Sequence, residues 1–479
     1  MTPYSASELA LAWPEIYLVG AICVVLLFDL FFAEGKPGRT STLTLLVLLG
    51  GAAITAFTGT GTRTLIFSGL YVADPLSSVL KMAAWLVTAL ALFYGRDYLH
   101  RKGIAKGEFY LLTLSALLGV LVMASAANLL TIYVGVELLS LSLYAIVAFN
   151  RESVSGAEAA MKYFVLGAIG SGTLLYGMSL LYGITGTLDL GQLALQLGDA
   201  PGMGFLLALS FVVVAIAFKF GAVPFHMWVP DVYQGAPTAS ATLVATVAKI
   251  ASFAMAFRLL SEGLALQAAQ WGQMLGLLAI ISVIAGNLIA VAQTSLLRML
   301  AYSAIANIGF ILLGFASGTG LGYSAALYYT LAYVLMTVAA FAVILIASRD
   351  GCEADELEHY KGLHQRDPLL AGVMAVVMFS TAGVPPFVGF WAKLQIIQAL
   401  AGSGLITYAI IAVVASVVGA FYYLRVVWLM YFEAPDEQPA LSRVMGLRMV
   451  LAINALAVLV LGLFPQQLLA LCLSVISGT

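Results

Sequence analysis

Fourteen long apolar segments constrain the fold of this 479-residue chain more than any other feature. A helix needs about 20 mostly apolar residues to cross a bilayer. Hydrophobic residues make up 62% of the chain and charged residues 9%, which excludes an ordinary soluble protein. We therefore predict an all-α, polytopic membrane protein with 14 transmembrane helices. The predicted spans cover residues 13–33, 40–60, 75–95, 109–125, 127–149, 157–184, 203–227, 238–260, 270–292, 298–317, 322–348, 368–400, 405–432 and 446–474.

The distribution of Lys and Arg between the loops predicts the orientation of the chain. If the amino terminus lies outside, the inside loops hold 13 of these residues, whereas outside loops hold only Arg63, with Arg258 near an outer edge. Inside loops of membrane proteins are enriched in positive charge, so both termini are expected outside. The inside residues are Lys36, Arg39, Arg96, Arg101, Lys102, Lys106, Arg151, Arg298, Arg349, Lys361, Arg366, Arg443 and Arg448.

No cofactor is expected in this chain. Its cysteines, Cys23, Cys352 and Cys472, have no metal, haem or iron–sulfur spacing. No glycine-rich loop follows a strand to hold a nucleotide. No nucleic-acid motif is present, so we expect no nucleic-acid partner.

Two similar stretches interrupt spans 7 and 12. They read Phe218-Lys-Phe-Gly-Ala-Val-Pro-Phe225 and Thr381-Ala-Gly-Val-Pro-Pro-Phe387. Proline breaks a helix, so Pro224, Pro385 and Pro386 predict two broken helices. The stretches lie five spans apart and would run in opposite directions, which indicates an inverted repeat and a transport site. Two simple packing kinks are the alternative.

This repeat divides the chain into four parts. Spans 1–3 occupy residues 1–108, the first five-helix repeat (spans 4–8) occupies 109–260, the second (spans 9–13) occupies 270–432, and the last span occupies 446–479.

Ionisable residues inside apolar segments predict the function. Glu137, Lys219, Lys249 and Lys393 each lie within a predicted span, where a charge costs about 2.5–3.5 kcal/mol or more. Burial favours the neutral form of such groups, so they can take and release protons. A movable Glu137–Lys219 pair would switch the lysine between loaded and unloaded states.

Less demanding interpretations remain open for each residue. Glu137, which shares a helix face with Tyr133, Ser140 and Tyr144, would serve as a neutral hydrogen-bonding group, or would form a static ion pair with Lys219. Lys393 lies in the outer half of span 12 near Trp391 and would snorkel to the interface.

Two further residues have a choice of roles. His226 would feed protons to Lys219 or cap carbonyls freed by the break. Lys162 would bias Glu137 or simply face the cytoplasm.

A family resemblance follows from longer motifs. The stretch Lys219-Phe-Gly-Ala-Val-Pro-Phe-His-Met-Trp-Val-Pro-Asp-Val-Tyr-Gln-Gly-Ala-Pro237 and the run Gln293–Ser303 resemble the antiporter-like subunits of respiratory complex I, which are relatives of multi-subunit sodium/proton antiporters. Lys393 stands where M-type subunits carry glutamate, and the chain has no residues for the lateral helix of L-type subunits. It therefore resembles the N-type branch of this family.

The resemblance implies a proton-translocating subunit, in which Glu137, Lys219, Lys249 and Lys393 match the proton-channel residues. NADH, FMN, iron–sulfur clusters and quinone are expected in other subunits of the complex. The implied partners are M- and L-type subunits, small membrane subunits and the lipid bilayer, in a bacterial inner membrane with periplasmic termini. A sodium/proton antiporter subunit without a redox partner, or a scaffold with vestigial charges, is the alternative.

Overall fold

The computed structural model describes residues 6–33, 37–197, 202–348, 353–435 and 444–478, and within them the chain is almost entirely helical. Several residues used above lie outside the described ranges: Lys36, Arg349, Cys352 and Arg443.

The amino-terminal part contains four helices and one hairpin. The helices are α1 (Ala6–Leu11), α2 (Trp13–Phe32), α3 (Pro37–Thr58) and α4 (Pro75–Arg101). Between α3 and α4, strands β1 (Thr64–Ile66) and β2 (Tyr71–Ala73) pair antiparallel. Asp74 begins α4 with a capping box, because its carboxylate accepts from the Ser77 amide at 2.7 Å while the Ser77 hydroxyl pairs with the Asp74 amide.

Seven helices follow up to the middle of the chain. They are α5 (Gly107–Ala124), α6 (Leu129–Val147), α7 (Val154–Thr185), α8 (Leu190–Gln196), α9 (Met203–Phe220), α10 (Trp228–Gly235) and α11 (Thr238–Ala256). A π-helical turn, Phe257–Gly263, continues α11.

Nine helices complete the described chain. They are α12 (Ala268–Val291), α13 (Leu296–Ala316), α14 (Gly320–Ala347), α15 (Leu363–Arg366), α16 (Pro368–Ala382), α17 (Val388–Gly402), α18 (Ile406–Phe432), α19 (Met445–Leu463) and α20 (Pro465–Ser477).

The helices confirm a polytopic all-α membrane protein. In the described ranges, thirteen are long and apolar enough to cross a bilayer. The broken pair α16–α17 supplies the remaining predicted crossing. One detail of the prediction is wrong: the segment 446–474 is not one continuous helix, because Phe464 leaves the helical conformation and Pro465 starts α20. Proline cannot donate the amide hydrogen bond that would continue α19.

The centre of the bundle is formed by α11, every residue of which is buried. Helices α13 and α14 are also mostly buried, whereas α2 exposes most of its apolar surface. In a membrane protein such exposed apolar faces meet lipid. The central helices therefore hold their side chains away from lipid.

Two distant segments share one hydrogen-bond pattern. At the start of α6, the Leu129 amide donates to the Leu188 carbonyl at 2.9 Å, and at the start of α13 the Leu296 amide donates to the Asp355 carbonyl at 2.6 Å. The number of residues that separates the two donors, Leu129 and Leu296, equals the number that separates the two acceptors, Leu188 and Asp355. The reciprocal bonds, from Leu190 and Leu357, have the same offset.

Candidate functional site

The first helix break exposes carbonyls that a lysine caps. Helix α9 ends at Phe220 and is capped by Gly221, whose φ of 80° suits glycine because it lacks a Cβ. The Lys249 ammonium, from the buried helix α11, donates to the Phe220 carbonyl at 2.8 Å. It also lies 5.2 Å from the centre of the Trp228 ring, within the range of a cation–π contact.

The second break repeats this arrangement with a different lysine. Helix α16 ends at Ala382 and is capped by Gly383, which has a φ of 91°. The Lys393 ammonium donates to the Ala382 carbonyl at 2.9 Å and to the Ser416 hydroxyl at 2.8 Å. The side chain thus turns into the break, so the snorkelling interpretation is wrong. Nearby, the Trp391 indole donates to the Gly462 carbonyl.

Both breaks contain the predicted prolines. Val223–Pro224 and Pro385–Pro386 are cis peptide bonds. The predicted interruption of spans 7 and 12 is confirmed.

Lys219 lies on the last turn of α9, just before the first break, and α10 begins after that break. Its ammonium donates to the Ser140 hydroxyl at 2.8 Å and to the Ser171 hydroxyl at 3.1 Å. Ser140 is one of the residues predicted to share a face with Glu137. The lysine is therefore held by neutral hydroxyl oxygens.

Glu137 is partly buried on α6, and its Oε1 atom is buried without a hydrogen-bond partner. Within the described ranges no cation lies within 4.0 Å of this carboxylate. The predicted static ion pair with Lys219 is therefore not formed. Tyr133, one helical turn earlier, is also partly buried.

His226 and Lys162 contact groups that the sequence did not single out. The His226 ring lies 6.4 Å from the Tyr302 ring, and its Nδ1 atom is buried with no hydrogen-bond partner in the described chain. Lys162 forms ion pairs with Glu158 at 2.8 Å and with Asp231 at 2.7 Å. Within the described ranges Lys162 is therefore paired with these two carboxylates and not with Glu137, and whether it faces the cytoplasm stays a prediction.

A buried ionic cluster escaped the sequence analysis. The fully buried Arg258 guanidinium pairs with both oxygens of Asp74, at 2.7 and 2.9 Å, and with Glu262 at 2.5 Å. Burial alone would raise the pKa of the Asp74 carboxyl, but the Arg258 charge and its hydrogen bonds outweigh burial and lower that pKa. Arg63 extends the cluster by pairing with Glu262 at 3.0 Å.

A second buried pair lies in the amino-terminal spans. Lys81 pairs with Glu15 at 2.6 Å, and the Tyr71 hydroxyl contacts both side chains. Burial raises the pKa of the Tyr71 hydroxyl. The signal in the sequence was Lys81 inside a predicted span, but its partner lies on another helix.

The second half of the bundle contains a neutral polar network. Asn307 donates to the Ser303 carbonyl at 2.7 Å and accepts from the Tyr329 hydroxyl at 2.7 Å. The Ser303 and Tyr423 hydroxyls lie 2.5 Å apart. All of these side chains are buried, and their mutual hydrogen bonds satisfy them there.

The described ranges contain no group of three or more His, Cys, Asp or Glu side chains placed to hold a metal ion. The ionisable groups at the breaks are suited to binding and releasing protons.

Comparisons with known proteins identify the class first. Residues 126–419 match the family model described as NADH:quinone oxidoreductase/Mrp antiporter, transmembrane. A chain of the Mrp complex from a Dietzia species has the same fold, with a TM-score of 0.85 and 24% identity over 98% of this chain and 97% of that one.

Closer relatives define the family more narrowly. NADH-quinone oxidoreductase subunit N of Thiobacillus denitrificans is 48% identical over 99% of both chains. A chain of respiratory complex I from Thermus thermophilus is 35% identical, with a TM-score of 0.83, over 95% of this chain and 98% of that one. The chain belongs to the family of NADH-quinone oxidoreductase subunit N, a membrane subunit of respiratory complex I.

Proposed function

We propose that this chain translocates protons across the bacterial inner membrane, coupled to electron transfer from NADH to quinone in other subunits. The observation that carries the proposal is the set of groups that surround three lysines inside the bundle. Lys219, Lys249 and Lys393 donate to hydroxyl or carbonyl oxygens, and none is within 4.0 Å of a described carboxylate. An ammonium without a countercharge is costly to bury, so each can exchange its proton.

The path has an order set by position. Protons would enter from the cytoplasm near Lys219, pass Lys249 at the first break, and leave near Lys393 at the second break. Glu137 would change the proton affinity of Lys219 by approaching or leaving it, because an opposite charge favours the ammonium. His226, Lys162 and Tyr133 are secondary to this path.

Energy must come from outside the chain. Moving one charge against 100 mV costs about 2.3 kcal/mol. We assign the NADH, FMN, iron–sulfur and quinone sites that supply this energy to other subunits. M- and L-type subunits and small membrane subunits are the proposed neighbours, and the loop charges support periplasmic locations for both termini.

Two inverted five-helix repeats, 109–260 and 270–432, would bring the two breaks together from opposite sides of the membrane. The matched hydrogen bonds that start α6 and α13 support this division. So do the lysine-capped carbonyls at Phe220 and Ala382.

The test replaces Lys249 with alanine in the assembled complex. Proton pumping in inverted membrane vesicles and NADH:quinone turnover should fall together, by at least about tenfold, because positioned acid–base groups contribute about 10²–10⁴-fold. Lys361→Ala, at a surface lysine paired with Glu358, is the control. Normal pumping by an assembled Lys249→Ala complex would overturn the relay.

A further inference from the structure

One face of the central helix α11 carries a row of hydroxyl groups. Thr238, Thr242 and Thr246 follow one another at intervals of four residues, and Lys249 lies three residues further on. At about 3.6 residues per turn these four side chains share one face. All three threonines are buried, with exposed fractions of 1%, 0% and 0%.

The second and third hydroxyls of the row donate within the helix. Thr242 donates to the Thr238 carbonyl at 2.8 Å, and Thr246 donates to the Thr242 carbonyl at 2.6 Å. Such bonds are common for buried threonines and by themselves indicate only packing. The environment of the first threonine distinguishes this row.

Thr238 opens into a charged cavity of about 370 Å³. This cavity lies where α10 ends, on the predicted cytoplasmic side, and its volume accommodates several water molecules. Its charged lining consists of Glu158, Lys162, Asp231, Arg298, Glu353 and Asp355. Asp231 bridges Lys162 at 2.7 Å and Arg298 at 3.1 Å.

Glu353 connects the cavity to the row. Its carboxylate accepts from the Thr238 hydroxyl at 3.0 Å and from the Tyr98 hydroxyl through a short hydrogen bond. Lys102 pairs with the Glu353 carboxylate at 3.1 Å, and about a third of the Glu353 side chain is exposed. Glu353 thus touches both the cavity and the first turn of α11, and its ionisable neighbours among the described residues include Tyr98, Lys102, Asp355 and Tyr360.

We propose that Glu353 and the row Thr238–Thr242–Thr246 form a proton intake route from this cavity to Lys249, one that bypasses Lys219. The proposal rests on the proposed relay function of Lys249. Cβ atoms four residues apart on a helix are about 5–6 Å from each other, and in this route one water molecule would bridge each pair of hydroxyls. Each hydroxyl rotates from its carbonyl, accepts a proton on one side and releases its own on the other. It ends neutral, and Lys249 gains one proton for each one taken up by Glu353.

The test uses substitutions that change chemistry but not shape. Thr246→Val removes the hydroxyl and keeps the side-chain volume. Thr246→Ser keeps a hydroxyl at the same position and should therefore behave like the wild type. Thr44→Val is the matched control, since Thr44 is also fully buried and donates to the carbonyl four residues earlier, at 2.8 Å, but lies in α3. All variants are compared in the whole complex, with pumping and NADH:quinone turnover recorded from pH 6 to pH 9.

A slowed intake has a signature that altered packing lacks. If the route takes up protons tenfold more slowly, the same flux requires a tenfold higher proton concentration, which is a pH roughly one unit lower. Thr246→Val and Glu353→Gln should therefore shift the alkaline limb of turnover and pumping about one unit downward, and Thr246→Ser should restore it. Thr44→Val should leave the profile in place.

The outcomes separate this route from the relay itself. If Lys249→Ala abolishes pumping while Thr246→Val and Glu353→Gln keep the wild-type pH profile, the relay stands and this route is overturned. A uniform loss at every pH that Thr246→Ser does not rescue also overturns it. If Thr246→Val does not assemble, Glu353→Gln, at a cavity surface, decides alone.

Discussion

At both helix breaks a lysine donates to the backbone carbonyl that ends the first half-helix, but the two lysines come from different parts of the fold. In each, a glycine with positive φ ends the first half-helix and a lysine caps the last carbonyl. Lys249 reaches the first break from a neighbouring helix, whereas Lys393 reaches the second from the following half of its own span. Broken backbone inside a membrane must be satisfied by protein or water, and here an ionisable group does it twice.

The surroundings of the breaks differ in charge. The first has Lys219 and Glu137 nearby, on α9 and α6. On α13, the helix whose start matches that of α6, Asn307 and Ser303 instead form a neutral network with Tyr423 of α18. Under the proposed function, the first half would take up protons and the second would release them near Lys393.

The largest effect should come from removing the ionisable group of Lys393. Lys393→Leu should lower pumping at least about tenfold, whereas Lys393→Glu, which keeps an ionisable group, should retain part of it. Pumping in inverted vesicles measures both, and Lys361→Leu controls for loss of a lysine. Equal, near-wild-type pumping in both variants would mean that Lys393 only caps the helix.

Next in size is the ionic anchor that holds the outer end of α11, the helix of Lys249. Asp74→Asn leaves buried Arg258 without its bidentate partner, which should cost about 3–5 kcal/mol of unfolding free energy at neutral pH. Because the folded-state pKa of Asp74 is lowered, its stabilisation is present above about pH 4 and is lost as pH falls through the folded-state value.

The difference in thermal stability between wild type and Asp74→Asn should therefore shrink below about pH 4. Protease accessibility of this subunit in the heated, purified complex measures it. A difference independent of pH would mean that the carboxylate charge does not anchor α11.

A smaller effect separates the two glycines. Alanine at positive φ costs about 1–2 kcal/mol. A Cβ at Gly383 would lie 3.0 Å from Lys393 Cδ, whereas one at Gly221 would lie 2.6 Å from Val229 Cγ2. Gly383→Ala should therefore reduce pumping beyond its loss of stability, and Gly221→Ala should reduce mainly stability.

Assembly yield and pumping per assembled complex distinguish these two results. Gly372→Ala on α16, where a Cβ would meet nothing within 4 Å, is the control and should be close to neutral. Identical pumping per complex in all three variants would refute a positioning role for the second break.

The smallest effect should come from the serines. Ser140→Ala removes one partner of Lys219, and Ser416→Ala removes one partner of Lys393, but each ammonium keeps a second oxygen. One hydrogen bond is worth about 0.5–1.5 kcal/mol, so pumping should change only a few-fold. A loss as large as that of Lys393→Leu would make the serine itself part of the path.

The sequence predicted much of the site because its signals are local. Spans and breaks follow from hydropathy and from prolines at known positions, and Glu137, Lys219, Lys249 and Lys393 stood out as charges in apolar surroundings. The unbroken span over 446–474 failed at Pro465, where length and hydropathy outweighed a helix-breaking residue in the prediction.

By itself, then, the sequence determined the fold class, the spans and their breaks, and the identity of the ionisable residues. Each spanning segment must be apolar and must satisfy its own backbone hydrogen bonds in the bilayer, so these features can be recognised one segment at a time. Only the tertiary structure decided what each charge contacts. Arg258, predicted near an outer edge, is fully buried against Asp74, and Lys393 turns inward instead of snorkelling. Such pairings depend on how each helix is rotated and which helices pack against it, and these are set by contacts between residues far apart in the chain.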